Sequence, residues 1–159
     1  IDQWEEVSPM KIKKSGLKLV ELNGKLYALS GFDGENLLNI VECYDPENNQ
    51  WEFKNKMNIK EFCFGAVNFQ DKIYVVGEKI TEVYNPEENR WIKMSSPNKC
   101  AGGRSLVVFN GKLVVIGGKN EKAEEWEGIS TVEYYDFENC VWKTDKDMKD
   151  IPVSIHTYE

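Results

Sequence analysis

Few side chains in this chain of 159 residues are equipped for covalent or metal chemistry. Its one histidine, His156, has no matched carboxylate or cysteine at a spacing that would make a nucleophile–base pair. The four cysteines, at positions 43, 63, 100 and 140, form no CxxC pair of the kind a structural zinc site uses. They read as small buried hydrophobes with free thiols. Gly102-Gly103-Arg104 leads into a strand pattern, so it makes no phosphate cradle at a helix N-terminus. Abundant carboxylates are expected of an acidic protein, and no pair has a spacing that suggests acid–base work. The sequence therefore predicts no catalytic residue, no metal site and no cofactor. One aromatic residue stands apart: Trp126, in a polar loop beside Glu124, Glu125 and Glu127. An aromatic ringed by charge is what an interface anchor looks like; a ring folded down over its own sheet fits equally well.

Bulk composition narrows the class. With 41% hydrophobic and 12% aromatic residues the chain can bury a core, so disorder is not expected. A net charge of −7 argues against nucleic acid or an anionic membrane as the main partner. No apolar run approaches the length of a membrane span. Residues 1–6 lack the basic start and apolar centre of a signal peptide. The expected compartment is the cytoplasm, with the cytoskeleton as a second location.

The elements that would position a binding surface come from an internal repeat. Asn110-Gly111 leads into the apolar run Lys112 to Ile116, which stops at Gly117-Gly118. Asn-Gly suits a hairpin turn with positive φ at both corners, and the run reads as a strand buried on both faces. The segment recurs from Asn23-Gly24 to Ser30-Gly31 and from Gln70-Asp71 to Gly77-Glu78. Trp4, Trp51, Trp91 and Trp142 set the frame, and seven residues before the last three stands a tyrosine (Tyr44, Tyr84, Tyr135) closing a Glu-x-Tyr triplet. In the third repeat four strands are expected near 105–109, 112–116, 131–136 and 141–144. Length varies only between the second and third strands, where a rigid scaffold leaves recognition loops free to change. Four antiparallel strands with tryptophan toward the outer edge describe one propeller blade.

These linked motifs resemble the kelch repeat: the glycine pair ending the second strand, then Tyr-Asp-Pro, tryptophan and methionine. Tyr44-Asp45-Pro46-Glu47-Asn48-Asn49-Gln50-Trp51 is especially similar to animal BTB–BACK–kelch proteins. Ser30-Gly31, Gly77-Glu78 and Asn85 depart from that pattern. The expected fold is thus an all-β kelch-type β-propeller of four-stranded antiparallel blades, in an incomplete ring. Its blades span 16–56, 63–96 and 103–147, with the last strand of a preceding blade at 1–10 and the first strand of a further one at 151–159. Either the chain is a piece of a longer propeller, or two copies self-associate to complete a ring. Copper-oxidase kelch propellers need two histidines, which this chain does not hold, so an enzyme is not expected.

The resemblance implies that a protein or peptide ligand is gripped on one rim. Two loop sets would form it: those after each tryptophan–methionine segment and those between second and third strands. The first supplies Lys13, Lys14, Lys60, Glu61, Phe62, Lys99 and Arg104, and the second supplies Phe32, Asp33, Glu35, Glu124, Glu125 and Trp126. The family's basic ligand contacts fall nine and ten residues after the tryptophan, here Lys13/Lys14 and Lys60/Glu61, with Cys100/Ala101 departing from the pattern. By resemblance the chain would be the substrate-recognition part of a cullin-RING ubiquitin ligase adaptor, meeting cullin through BTB and BACK domains outside this sequence. Actin or other cytoskeletal binding is the alternative.

Overall fold

A computed structural model describes residues 3–61, 63–78, 80–98, 101–120 and 128–144. They form three four-stranded antiparallel sheets, each ordered as in the sequence. Blade 1 holds β1 (Lys18–Leu22), β2 (Lys25–Leu29), β3 (Val41–Asp45) and β4 (Gln50–Lys54). Blade 2 holds β5 (Gly65–Phe69), β6 (Lys72–Val76), β7 (Thr81–Asn85) and β8 (Arg90–Met94). Blade 3 holds β10 (Ser105–Phe109), β11 (Lys112–Ile116), β13 (Val132–Asp136) and β14 (Val141–Thr144). A two-residue ladder between β9 (Ala101–Gly102) and β12 (Lys119–Asn120) ties the entry of blade 3 to its long loop. No helix occurs among the described residues.

The first hairpin of each blade turns on two residues with positive φ: Asn23 and Gly24, Gln70 and Asp71, Asn110 and Gly111. Blade 2 makes this turn without glycine, at the steric cost that a Cβ brings to left-handed backbone. The second hairpin is built by side chains. Asp45, Asn85 and Asp136 each accept the backbone N–H two residues on, at 3.0 Å, and a left-handed residue follows: Asn49, Asn89 or Cys140. The short aspartate or asparagine side chain stands in for a turn's own carbonyl.

The core lies between blades. Val20, Leu22, Tyr27 and Leu29 of blade 1 cluster with Ile73, Val75, Tyr84 and Trp91 of blade 2. Tyr74 and Val76 on the other face of blade 2 join Leu106, Leu113, Val115, Tyr135 and Trp142 of blade 3. Blades 2 and 3 thus turn their tyrosine and tryptophan toward the preceding blade. The polar contacts repeat as strictly as the apolar ones. The indole N–H of Trp51, Trp91 and Trp142 donates to the carbonyl of Ser8, Asn55 and Ser95, at 2.7–2.9 Å. The buried glutamate of each Glu-x-Tyr accepts a backbone N–H from the same connector: Lys11 to Glu42 (2.6 Å), Asn58 to Glu82 (3.0 Å) and Asn98 to Glu133 (2.8 Å). Asn49 and Asn89 complete the latch, each accepting from the connector's backbone and from its own tyrosine hydroxyl.

One expectation is corrected. Residues 3–10 form no strand. They run instead as a connector against blade 1, held at Ser8 and Lys11 by Trp51 and Glu42. Trp4 is fully exposed. The strand expected at 151–159 lies outside the described residues.

Trp91→Ala removes a buried ring and orphans a carbonyl, and should lower the unfolding free energy by about 3–5 kcal/mol. Trp4→Ala should change it by less than about 0.5 kcal/mol; urea titration of both variants checks the contrast. Relieving the turn with Asp71→Gly should stabilise by roughly 0.5–1 kcal/mol, read as a higher melting temperature.

Candidate functional site

Because strands alternate in direction, the connectors between blades and the loops between second and third strands emerge at the same end. Backbone hydrogen bonds stitch them together there. Ser15 and Phe32 exchange both N–H···O bonds at 2.9 Å, Met57 donates to Asn39 O at 2.9 Å, and Gly103 donates to Cys63 O at 2.8 Å. In the loop of blade 1, the Asp33 carboxylate accepts the N–H groups of Glu35 and Asn36 at 2.9 and 2.7 Å. Those bonds hold its carboxyl below the usual range. Among the described residues, the loop of blade 1 and the connectors bonded to it are therefore a fixed rim rather than free strings.

The structure divides the expected contact residues. Lys13, Lys60, Asp33 and Glu35 stand exposed on the rim, and Phe32 keeps 39% of its surface open beside them. Three others are corrected. Lys14 has a fully buried side chain, its ammonium 3.3 Å from Glu42 Oε1 and donating to Ala28 O at 3.2 Å. Burial pushes the ammonium's pKa down while Glu42 pulls it up. Arg104 is buried as well, with Nη1 4.0 Å from Glu133 Oε1. Both cations neutralise framework glutamates and do not face solvent. Glu61 turns inward, and its carboxylate accepts the Glu78 N–H at 2.5 Å. Phe62, Lys99, Glu124, Glu125 and Trp126 lie outside the described residues, as do Cys100 and His156.

Two departures from the kelch pattern, Ser30 and Glu78, prove to be accommodated together through Glu61. Ser30 replaces a glycine yet keeps left-handed backbone, and its hydroxyl sits between the carbonyls of Leu38 (2.7 Å) and Glu61 (2.5 Å). Glu61 in turn bonds Glu78, which replaces the second glycine of its pair. A Cβ on Gly77 would lie 1.9 Å from Glu61 Oε2, so glycine survives there to admit the carboxylate. Sequence reasoning noted Ser30, Glu61 and Glu78 separately; what it missed was that they meet. It also missed the latch role of Glu42, Glu82 and Glu133, although their constant offset from the tyrosine was visible. Away from the rim, at the hairpin end of the innermost strands, lies an open groove of about 750 Å³ bordered by Glu21, Val67, Phe69, Asp71 and Val108.

Replacing Lys14 by alanine should cost about 3 kcal/mol, because Glu42 is left charged in a buried site. The same change at Lys13 should cost under about 0.5 kcal/mol. Paired denaturation curves decide between a buried role and a rim role for each lysine.

Comparison with known proteins agrees with this geometry. The Kelch motif matches residues 14–58 and 100–149. Kelch-like protein 26 of Danio rerio is 24% identical across 94% of this chain, which spans 26% of that protein. Kelch repeat and BTB domain-containing protein 8 of Danio rerio is 29% identical across 92% of the chain, again 25% of the relative. Influenza virus NS1A-binding protein homolog of Mus musculus is 41% identical over 71 residues, 45% of this chain and 11% of that one. The chain thus spans about a quarter or less of these relatives. Among solved structures, that titled "Structure of YjhT" superposes with a TM-score of 0.79 at 16% identity, over 97% of this chain and 57% of the other, a likeness of fold. With repeated blades, a matching motif over most of its length and relatives named for the same repeat, the chain belongs to the kelch-repeat family.

Proposed function

We propose that this chain is a protein-binding kelch propeller segment, and that it recognises substrate for a cullin-RING ubiquitin ligase adaptor of the BTB–kelch type. The observation that carries the reading is the rim. Loops of unequal length stand on a hydrogen-bonded scaffold and present Lys13, Lys60, Phe32, Asp33 and Glu35 to solvent on one end. An exposed aromatic among charges of both signs suits a peptide or loop of another protein, since aromatic anchors supply affinity and flanking charges supply register and on-rate. Relatives named for kelch and BTB domains support the adaptor reading. Trp126, Glu124 and Glu125 join the proposed contact set on their sequence environment. The same reading places the protein in the cytoplasm and assigns it no enzymatic step of its own.

The test compares proteins captured from cell extract by the native chain and by Phe32→Ala/Lys13→Glu/Lys60→Glu. Partners should be lost by at least about tenfold, equivalent to about 1.4 kcal/mol, while the melting temperature stays unchanged. Cullin should be recovered only with the longer natural protein carrying its BTB segment. Undiminished capture by the triple variant would remove the rim reading. Co-sedimentation with actin filaments that survives moderate salt would replace the adaptor reading with a cytoskeletal one. For Trp126→Ala, partner capture should fall more than thermal stability; the reverse would make the ring structural.

A further inference from the structure

Two of the three first hairpins turn on the same four residues, and the structure gives them unequal chemistry. Asn23-Gly24-Lys25-Leu26 in blade 1 and Asn110-Gly111-Lys112-Leu113 in blade 3 are identical, so an unfolded chain would treat them alike. Both corners are exposed, and both take positive φ at asparagine and at glycine. A Cβ on either glycine would meet nothing within 4 Å. They differ in what holds the glycine nitrogen. In blade 1 the Gly24 N–H donates to Glu21 Oε1 at 2.8 Å. The corresponding residue of blade 3 is Val108, three before Gly111 as Glu21 is three before Gly24. Valine offers no acceptor, and among the described residues no side chain takes the Gly111 N–H. Blade 2, with Gln70-Asp71, has no asparagine at this corner.

Asparagine followed by glycine is open to attack by its own backbone, because glycine leaves the nitrogen unshielded. We infer that Asn110 is a site of spontaneous deamidation, from which Glu21 protects its twin Asn23. The Gly111 nitrogen gives up its proton to solvent and bonds to Asn110 Cγ. The Cγ–Nδ2 bond breaks, and the amide nitrogen takes a proton from solvent and departs as ammonia. Water then opens the cyclic imide at either carbonyl, leaving aspartate or isoaspartate at position 110. Attack requires the deprotonated nitrogen, and a carboxylate bonded to that N–H disfavours its negative charge. Glu21 applies this brake to Gly24, and Val108 leaves Gly111 without it. The product adds a negative charge to blade 3, and its isoaspartyl form routes the main chain through an added carbon. That corner joins β10 to β11, whose residues Leu106, Leu113 and Val115 pack against blade 2.

The experiment incubates the native chain at neutral pH and physiological temperature, and follows both asparagines by peptide mapping with mass spectrometry. Asn110 should deamidate at least about tenfold faster than Asn23. In urea, where only the shared sequence acts, the two rates should converge. Val108→Glu places a carboxylate three residues before Gly111 and should slow Asn110 by at least about fivefold. Glu21→Ala should speed Asn23 and leave Asn110 unchanged. Equal rates at the two asparagines in the folded chain, an Asn110 that stays intact, or a ratio that persists in urea would each overturn the inference. So would a Val108→Glu rate matching the native one. Both substituted residues are exposed, and the native chain's two rates, folded and in urea, decide the matter even if a variant fails to fold.

Discussion

The bond on which this architecture depends is the one that a backbone N–H of each connector donates to the buried glutamate of the blade that follows. A sheet of four short strands cannot hide its own apolar face, so each blade is stable only against a neighbour. Apolar stacking supplies most of that attraction but little direction, since flat faces can slide. The latch of Glu42, Glu82 or Glu133 with Trp51, Trp91 or Trp142 sets the angle and offset at which one blade meets the next. The blade contributes side chains, and the connector contributes mostly backbone: N–H groups to the glutamates and carbonyls to the indoles. The connector being gripped can therefore change its residues while keeping its place.

That asymmetry explains which parts of the molecule were legible in its sequence. Tryptophan, tyrosine and glutamate recur at constant intervals because each has one geometric task, and that spacing, together with the turn dipeptides and apolar runs, made the strands and hairpins legible. Side-chain direction in the connectors was not legible in the same way. Lys13 and Lys14 are adjacent and identical, yet one faces water and the other meets Glu42. An offset from tryptophan says which segment a residue belongs to; in irregular backbone it does not say which way the side chain turns. Arg104 was misread for the same reason. Its role is visible only once the Glu133 carboxylate is known to lie beneath it.

Departures from the repeat carry information that the repeat cannot. Ser30, Glu61 and Glu78 are each odd alone, and together they form a chain of contacts across the rim between blades 1 and 2. A glutamate in Lys14's place removes the cation from blade 2, and the same carboxylate pins the short loop beginning at Gly77. Exchanging one electrostatic device for another at a single position ties the connector to the loop at Glu78 and leaves Glu82 in a different environment from its two counterparts. Charge in a low-dielectric interior cannot be rearranged at one residue without consequence at the next.

The latch is also directional. Every blade grips the connector that precedes it, so the two ends of the stack are chemically unlike. At one end residues 3–14 already occupy the polar groups of blade 1, even though Trp4 has no sheet to join. At the other, the far face of blade 3 presents Val107, Phe109 and Val141 to solvent. An exposed apolar face and a satisfied polar face cannot substitute for each other. A second blade-1 edge meeting blade 3 would find complementary apolar area but would have to displace residues 3–14 before the tryptophan and glutamate could engage. Head-to-tail growth along one chain meets no such competition, because each connector is delivered to the next blade covalently and at no cost in translational entropy.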